Sequence, residues 1–212
     1  MKSNKPLFIS FEGGEGSGKS TQSKMLFEYL KSRQINAILT REIGGTIEAE
    51  KIRNIVLHSE LLPTSELMMV MAARYEHVHK LIIPAINSNN FVICDRFVDS
   101  SAAYQGQCQH IGIDKVYHLH NEIIKIMPDI TFFIDISPEI ALQRTHARGD
   151  NNKFEDKKLE FHLEVYSGFK KIAKLFKKRI ISIKAANLPK EQIHQKIVDI
   201  LLSTFLLAEL DQ

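Results

Sequence analysis

The stretch Leu7-Phe8-Ile9-Ser10-Phe11-Glu12-Gly13-Gly14-Glu15-Gly16-Ser17-Gly18-Lys19-Ser20-Thr21 decides the fold class. It opens as a short apolar run, the pattern of a strand buried on both faces. Gly13 through Ser20 then fit G-x-x-x-x-G-K-[ST] in full, and a helical pattern begins at Lys19. Strand before and helix after is the context in which this motif holds phosphate. Its glycines let successive backbone N–H groups turn inward around phosphate oxygens, and the helix start adds partial positive charge. Lys19 can reach the β and γ oxygens, and the Ser20 hydroxyl can ligate Mg²⁺. Residues 13–21 are therefore the expected ATP-binding segment.

Working outward, short apolar runs alternate with longer helical patterns. Strands are expected at 7–11, 37–40, 91–94, 130–136 and 180–183. Helices are expected at 19–33, 46–57, 65–87, 113–126, 138–146, 157–178 and 189–208, with Pro84 kinking or interrupting its helix. Strands joined through helices need crossover connections, so the expected architecture is α/β, a five-stranded parallel sheet flanked by helices. Ligands of such sheets bind beyond the C-terminal strand ends. No repeat or linker divides residues 1–212, so one domain is expected, with a short lid at about 147–156.

Net charge is +3, from 28 basic and 25 acidic residues, too balanced for a nucleic-acid coat. Cys94 and Cys108 form no disulfide framework, so a reducing, cytoplasmic setting with free thiols is expected. No apolar run is long enough for a signal peptide core or a membrane span, and no membrane partner is expected.

A P-loop alone does not distinguish a kinase from a switch or a motor. A guanine-specific switch would carry Asn-Lys-x-Asp. The nearest stretch, Asn152-Lys153-Phe154-Glu155, fails at its last position. Asp95-Arg96 closes the third strand, where the carboxylate can hold Mg²⁺ and the guanidinium can grip a second phosphate bidentately.

With these stretches together, the chain resembles the thymidylate kinase family over nearly its whole length. The resemblance is carried by Phe11-Glu12-Gly13, by Thr40-Arg41-Glu42-Ile43-Gly44-Gly45-Thr46, and by Ala72-Ala73-Arg74. Asp95-Arg96-Phe97-Val98-Asp99-Ser100-Ser101-Ala102-Ala103-Tyr104-Gln105-Gly106, Pro128-Asp129 and Arg148-Gly149 follow in the family's order. It implies a P-loop nucleoside-monophosphate kinase fold, a homodimer, and transfer of the γ-phosphoryl of ATP to dTMP with Mg²⁺. Glu15 would contact the deoxyribose 3′-hydroxyl, while Arg41 and Arg96 would hold the acceptor phosphate. Arg74 would reach a carbonyl of the base, with Ser101 and Gln105 beside it. Tyr104 would occupy the space of a ribose 2′-hydroxyl, excluding ribonucleotides.

Some members of the family carry a catalytic arginine in the P-loop where this chain has Gly16, so the chain resembles the other subtype, whose catalytic charge comes from the lid. Arg148 and Lys153 are the expected lid residues, supported by Arg144; with Lys19 and Arg96 they complete the expected catalytic set. The family's Arg-Glu-Pro-Gly-Gly reads Arg41-Glu42-Ile43-Gly44-Gly45 here, loosening the expected placement of Arg41. Val70 replaces the Phe that stacks on thymine, so weaker aliphatic contact is expected. Val70 also keeps open a kinase acting on another nucleotide or a deoxynucleoside. Apolar residues at 67–71 and 113–126 exceed what one sheet face needs, consistent with a dimer. The pairs His77-x-His79 and His118-x-His120 are read as ordinary helix residues, because residues two apart point in different directions.

Overall fold

The computed structural model describes residues 6–145, 154 and 157–205. Five parallel strands form one sheet: β1 (Phe8–Glu12), β2 (Ala37–Arg41), β3 (Phe91–Asp95), β4 (Ile130–Asp135) and β5 (Ile180–Lys184). Their order is β2-β3-β1-β4-β5. This is the five-stranded parallel sheet expected from the sequence, with each strand within a residue of its expected bounds.

Strand β1 runs down the middle, pairing Phe11 with Asp95 of β3 and with Phe132 of β4. All five of its residues are buried. Their alternation splits them between two cores: Ile9 and Phe11 join Leu26, Phe132 and Ile197 on one face, while Phe8 packs with Val92, Phe97 and Phe133 on the other. Each fully buried Phe or Ile contributes roughly 1.5–3 kcal/mol. A sheet covered on both sides leaves its C-terminal edge as the place for a site.

The helices are α1 (Lys19–Ser32), α2 (Ile47–His58), α3 (Pro63–His77), α4 (Ile83–Asn87), α5 (Val98–Ser101), α6 (Ile113–Ile123), α7 (Pro138–Thr145), α8 (Leu159–Leu175) and α9 (Lys190–Phe205). Thr46 caps α2, its hydroxyl accepting from the Ala49 N–H at 3.3 Å. Pro84 interrupts the expected 65–87 helix as anticipated. Between α3 and α4 the chain widens into a π turn, Val78–Ile82, in which the Ile83 N–H reaches back to the Val78 carbonyl. Proline can neither donate to the residue four before it nor tolerate that carbonyl, and a wider turn resolves both.

One element was not expected. After β3, α5 runs directly into a second π turn, Ala102–Cys108. It is buried on several sides, against α6, α8 and α3, so Val98, Ala102 and Ala103 show no one-sided apolar period. Helix α8 has the amphipathic character expected of 157–178, with Val165, Phe169 and Ile172 buried. No helix of the described residues is long and apolar enough to cross a membrane.

Candidate active site

A cleft of about 510 Å³ opens over the C-terminal ends of β1, β2 and β3. Its phosphate-binding wall is the turn from β1 to α1. Gly13 has φ of +151°, and a Cβ there would stand 2.7 Å from Ser17 Oγ and 3.1 Å from the Ile134 carbonyl, so only glycine fits. Gly18, at φ +93°, heads α1 and leaves its first N–H groups uncapped by any side chain. Glu15, Gly16, Gly18, Lys19, Ser20 and Thr21 line the cleft. Gly13 and Gly14 act from behind: the Gly14 carbonyl accepts from Lys19 Nζ at 3.2 Å, and the Gly13 carbonyl accepts from Arg96 Nη1 at 2.9 Å.

Lys19 is only 6% exposed, and burial, followed by the neighbouring Arg96 charge, pushes its pKa down. It lies 3.8 Å from Glu15. Arg96 joins the two motifs. Its backbone is left-handed, φ +71°, fixed where the Arg96 N–H donates to the Phe11 carbonyl at 2.9 Å. Its Nη2 donates to Glu15 Oε1 at 2.7 Å and to the Tyr104 oxygen at 3.3 Å. Tyr104 in turn donates to the same Glu15 oxygen at 3.0 Å, and the Arg96 guanidinium lies over the Tyr104 ring, 5.2 Å from its centroid. Burial would raise the Glu15 carboxyl, but the Arg96 and Lys19 charges hold it down at about 2. Burial, with Glu15 adding, keeps the Tyr104 hydroxyl protonated against the pull of Arg96.

Glu12 is a participant that sequence reasoning did not single out, although it stands inside a stretch quoted above. It is 1% exposed and accepts from the Phe97 N–H at 2.7 Å and the Ser100 hydroxyl at 2.6 Å. Ser100 Oγ also accepts from Arg96 Nη1 at 2.9 Å, so Glu12 braces the turn that presents Arg96. Burial, then the nearby Asp99 carboxylate, pushes the Glu12 pKa up to about 8.

The opposite end of the cleft is less polar, lined by Val70, Ile43, Leu57 and Phe97 with Arg74, Ser101 and Gln105 among them. Arg74 is 2% exposed, donating from Nε to Glu42 at 2.7 Å and from Nη2 to Ser101 at 2.9 Å. Burial alone would raise the Glu42 pKa, yet Arg74 and then the His77 hydrogen bond bring it below its ordinary value. His77 bonds Glu42 through Nδ1 at 3.1 Å and Thr40 through Nε2 at 2.7 Å.

Arg41 lines the cleft as well, and both Glu50 oxygens accept from it at 2.8 and 2.9 Å. That pair is exposed and worth about 0–1 kcal/mol, so a phosphate can displace it. The turn after Arg41, lacking the family's proline, is pinned by Arg53 Nη1 donating to the Ile43 carbonyl at 2.8 Å. Arg53 itself lines the cleft and was not foreseen; one arginine on an amphipathic helix carries no distinguishing signal. Of the expected lid, Phe154 lines the cleft with its ring edge-on to Tyr104, centroids 5.5 Å apart. Arg148 and Lys153 lie outside the described residues.

The donors present fit a hard divalent cation. Ser20 and Asp95 both line the cleft, and Asp95 Oδ1 is buried without a partner among the described residues. A carboxylate oxygen left without a donor is one that Mg²⁺ would take.

A sequence model of thymidylate kinase matches residues 11–197. The chain belongs to the thymidylate kinase family. It is 54% identical to the thymidylate kinase of Rickettsia bellii (strain RML369-C), over 90% of this chain and 93% of that one. It is 53% identical to that of Rickettsia africae (strain ESF-5), over 90% and 94%. The crystal structure of thymidylate kinase from Ehrlichia chaffeensis superposes with a TM-score of 0.76 at 36% identity, covering 92% of this chain and 98% of that one. The thymidylate kinase fold is therefore the fold of this chain, a P-loop nucleoside-monophosphate kinase architecture, and the protein is a kinase.

Proposed function

We propose that this chain, acting as one domain, transfers the γ-phosphoryl group of ATP to dTMP, giving dTDP and ADP. The observation that carries the reading is the Arg96–Glu15–Tyr104 cluster. It ties the phosphate cradle to the wall opposite and sets donor and acceptor nucleotides in one cleft. ATP lies with its phosphates in the cradle of residues 13–21, where Lys19 follows the γ-phosphoryl. Ser20 and Asp95 would hold Mg²⁺, which would supply charge neutralisation on the phosphates. Arg96, with Arg41 and Arg53, grips the acceptor phosphate and aims one of its oxygens at the γ-phosphorus. As that bond forms, the bond from the γ-phosphorus to the bridging oxygen breaks, and its electron pair stays on ADP. Positioning and charge do most of this work, and Arg148 and Lys153 are the lid charges assigned to it.

On the acceptor, Glu15 receives the 3′-hydroxyl and Tyr104 fills the space of a 2′-hydroxyl. Arg74, Ser101 and Gln105 meet the base beside Val70. The setting proposed is cytoplasmic, with neither nucleic acid nor membrane as partner. An ADP-release assay over dTMP, dUMP, UMP and thymidine tests the reading. We expect dTMP to be preferred, with UMP at least about 100-fold lower in kcat/KM, and dUMP lower by roughly 10–200-fold for its missing methyl. Phosphorylation of thymidine in place of dTMP, or no transfer at all, refutes it.

A homodimer is proposed as well, resting on the parts of 67–71 and 113–126 that stay exposed. Leu67, Val70 and Met71 are buried in their own subunit. So are Val116, Tyr117 and Ile124, while Ile123 stays exposed. Exposed apolar residues in and beside those stretches include Leu62, Met68, Tyr75 and Ile123, with Met68 and Tyr75 two turns apart on the outward face of α3. Sedimentation at micromolar concentration should give a dimer; a single species at monomer mass contradicts it.

A further inference from the structure

Glu66 stands in the first turn of α3 and is 2% exposed. Its Oε1 accepts from two side-chain amides, Gln105 Nε2 and Gln109 Nε2, each at 2.8 Å. Gln105 is 4% exposed and lines the less polar end of the cleft. The two halves of a glutamine amide differ chemically, one donating and one accepting, and they exchange places on rotation. A carboxylate only accepts, so Glu66 dictates which half faces it. The NH₂ group turns to Glu66, and the Gln105 carbonyl Oε1 is left for the cleft side, with no donor to it among the described residues. Beside it, the fully buried Arg74 guanidinium supplies donors at the same end.

That wall offers an acceptor next to a donor. The edge of thymine or uracil presents the complement, an N3–H donor next to a carbonyl oxygen. Cytosine presents the reverse, an N3 lone pair next to an amino group. An unconstrained glutamine could serve either base by rotating its amide. Here rotation would set the Gln105 carbonyl against the Glu66 oxygen, two buried acceptors facing each other. We propose that Glu66 is a specificity-positioning residue: it locks the Gln105 amide with Oε1 toward the base, so the site takes an imide pyrimidine and rejects cytosine. This rests on the dTMP reading given above and names what enforces it.

The test compares kcat/KM for dTMP and dCMP in the parent enzyme, Glu66→Gln and Glu66→Asp. The parent should prefer dTMP by at least about 10³-fold, because a site built to hydrogen-bond one edge leaves buried groups unpaired against the other. In Glu66→Gln, which keeps the shape but no longer dictates the amide, the preference should fall by about tenfold or more. In Glu66→Asp, which keeps a carboxylate, it should stay nearer the parent value. A Glu66→Gln enzyme that loses activity on both nucleotides equally, with the ratio unchanged, overturns the proposal and leaves Glu66 a structural residue. Should that variant not fold, the imino proton of dTMP in the parent complex decides the matter by NMR. It should appear protected from solvent, and exchange as fast as in free dTMP overturns the inference. A parent enzyme inactive on both dTMP and dUMP would instead refute the underlying function.

Discussion

Lys19→Ala is expected to lower turnover by about 10²–10³-fold while leaving the fold intact, because it removes one preorganised charge from the transferring phosphoryl group. The structure makes the effect one of charge more than of packing. Lys19 Nζ is held 3.2 Å from the Gly14 carbonyl and 3.8 Å from Glu15, inside the cradle rather than across an interior contact. Burial already weakens its hold on its proton, and triphosphate oxygens arriving beside it would restore that hold. Single-turnover kinetics at saturating ATP isolate the chemical step from binding. A variant turning over at near the parental rate would remove Lys19 from the mechanism.

How far the sequence could be read depended on which physical signal each element carries. The strands were legible because both faces of the sheet are covered, so runs such as Phe91–Asp95 are apolar almost throughout and end at their functional residue. The phosphate cradle was legible because its glycines answer to backbone geometry, which admits few substitutes. The segment 98–108 was not, because an element packed from several sides has no polar face to give it a period. The apolar run Leu67, Met68, Met69, Val70, Met71 shows a related limit. A helix apolar on several sides does not say which side meets its own core, and only the fold separates buried Met71 from exposed Met68. Arg53 and Glu66 were missed for other reasons: Arg53, ten residues from the Ile43 carbonyl it meets, is one arginine on an amphipathic helix, while Glu66 acts through Gln105, 39 residues away and brought close only by the fold.

Asp99 yields the largest expected stability effect. It lies within the Asp95–Gly106 stretch that carries the family resemblance. In the structure it does not line the cleft. It is 1% exposed, and both its oxygens accept from Arg179, at 2.6 and 2.7 Å. Tyr117 also donates to it, and Arg179 donates to Thr131 at 2.6 Å. Burial would weaken the Arg179 charge, but the Asp99 hydrogen bonds and charge reverse that and raise its pKa. Arg179→Met removes the cation and leaves Asp99 buried beside Tyr117 with its charge uncompensated. Breaking a buried pair on one side costs about 3–5 kcal/mol, which corresponds to a fall of roughly 6–20 °C in Tm for a chain of this size. The double replacement Arg179→Met with Asp99→Asn should destabilise by less than the two single costs added, because the stranded charge is gone. At a temperature where Arg179→Met is still folded, its kcat for dTMP should stay close to the parental value, since the pair braces the turn from outside the cleft. A Tm within a degree or two of the parent would show the pair to be incidental, and a lost kcat in folded protein would place Asp99 among the functional carboxylates.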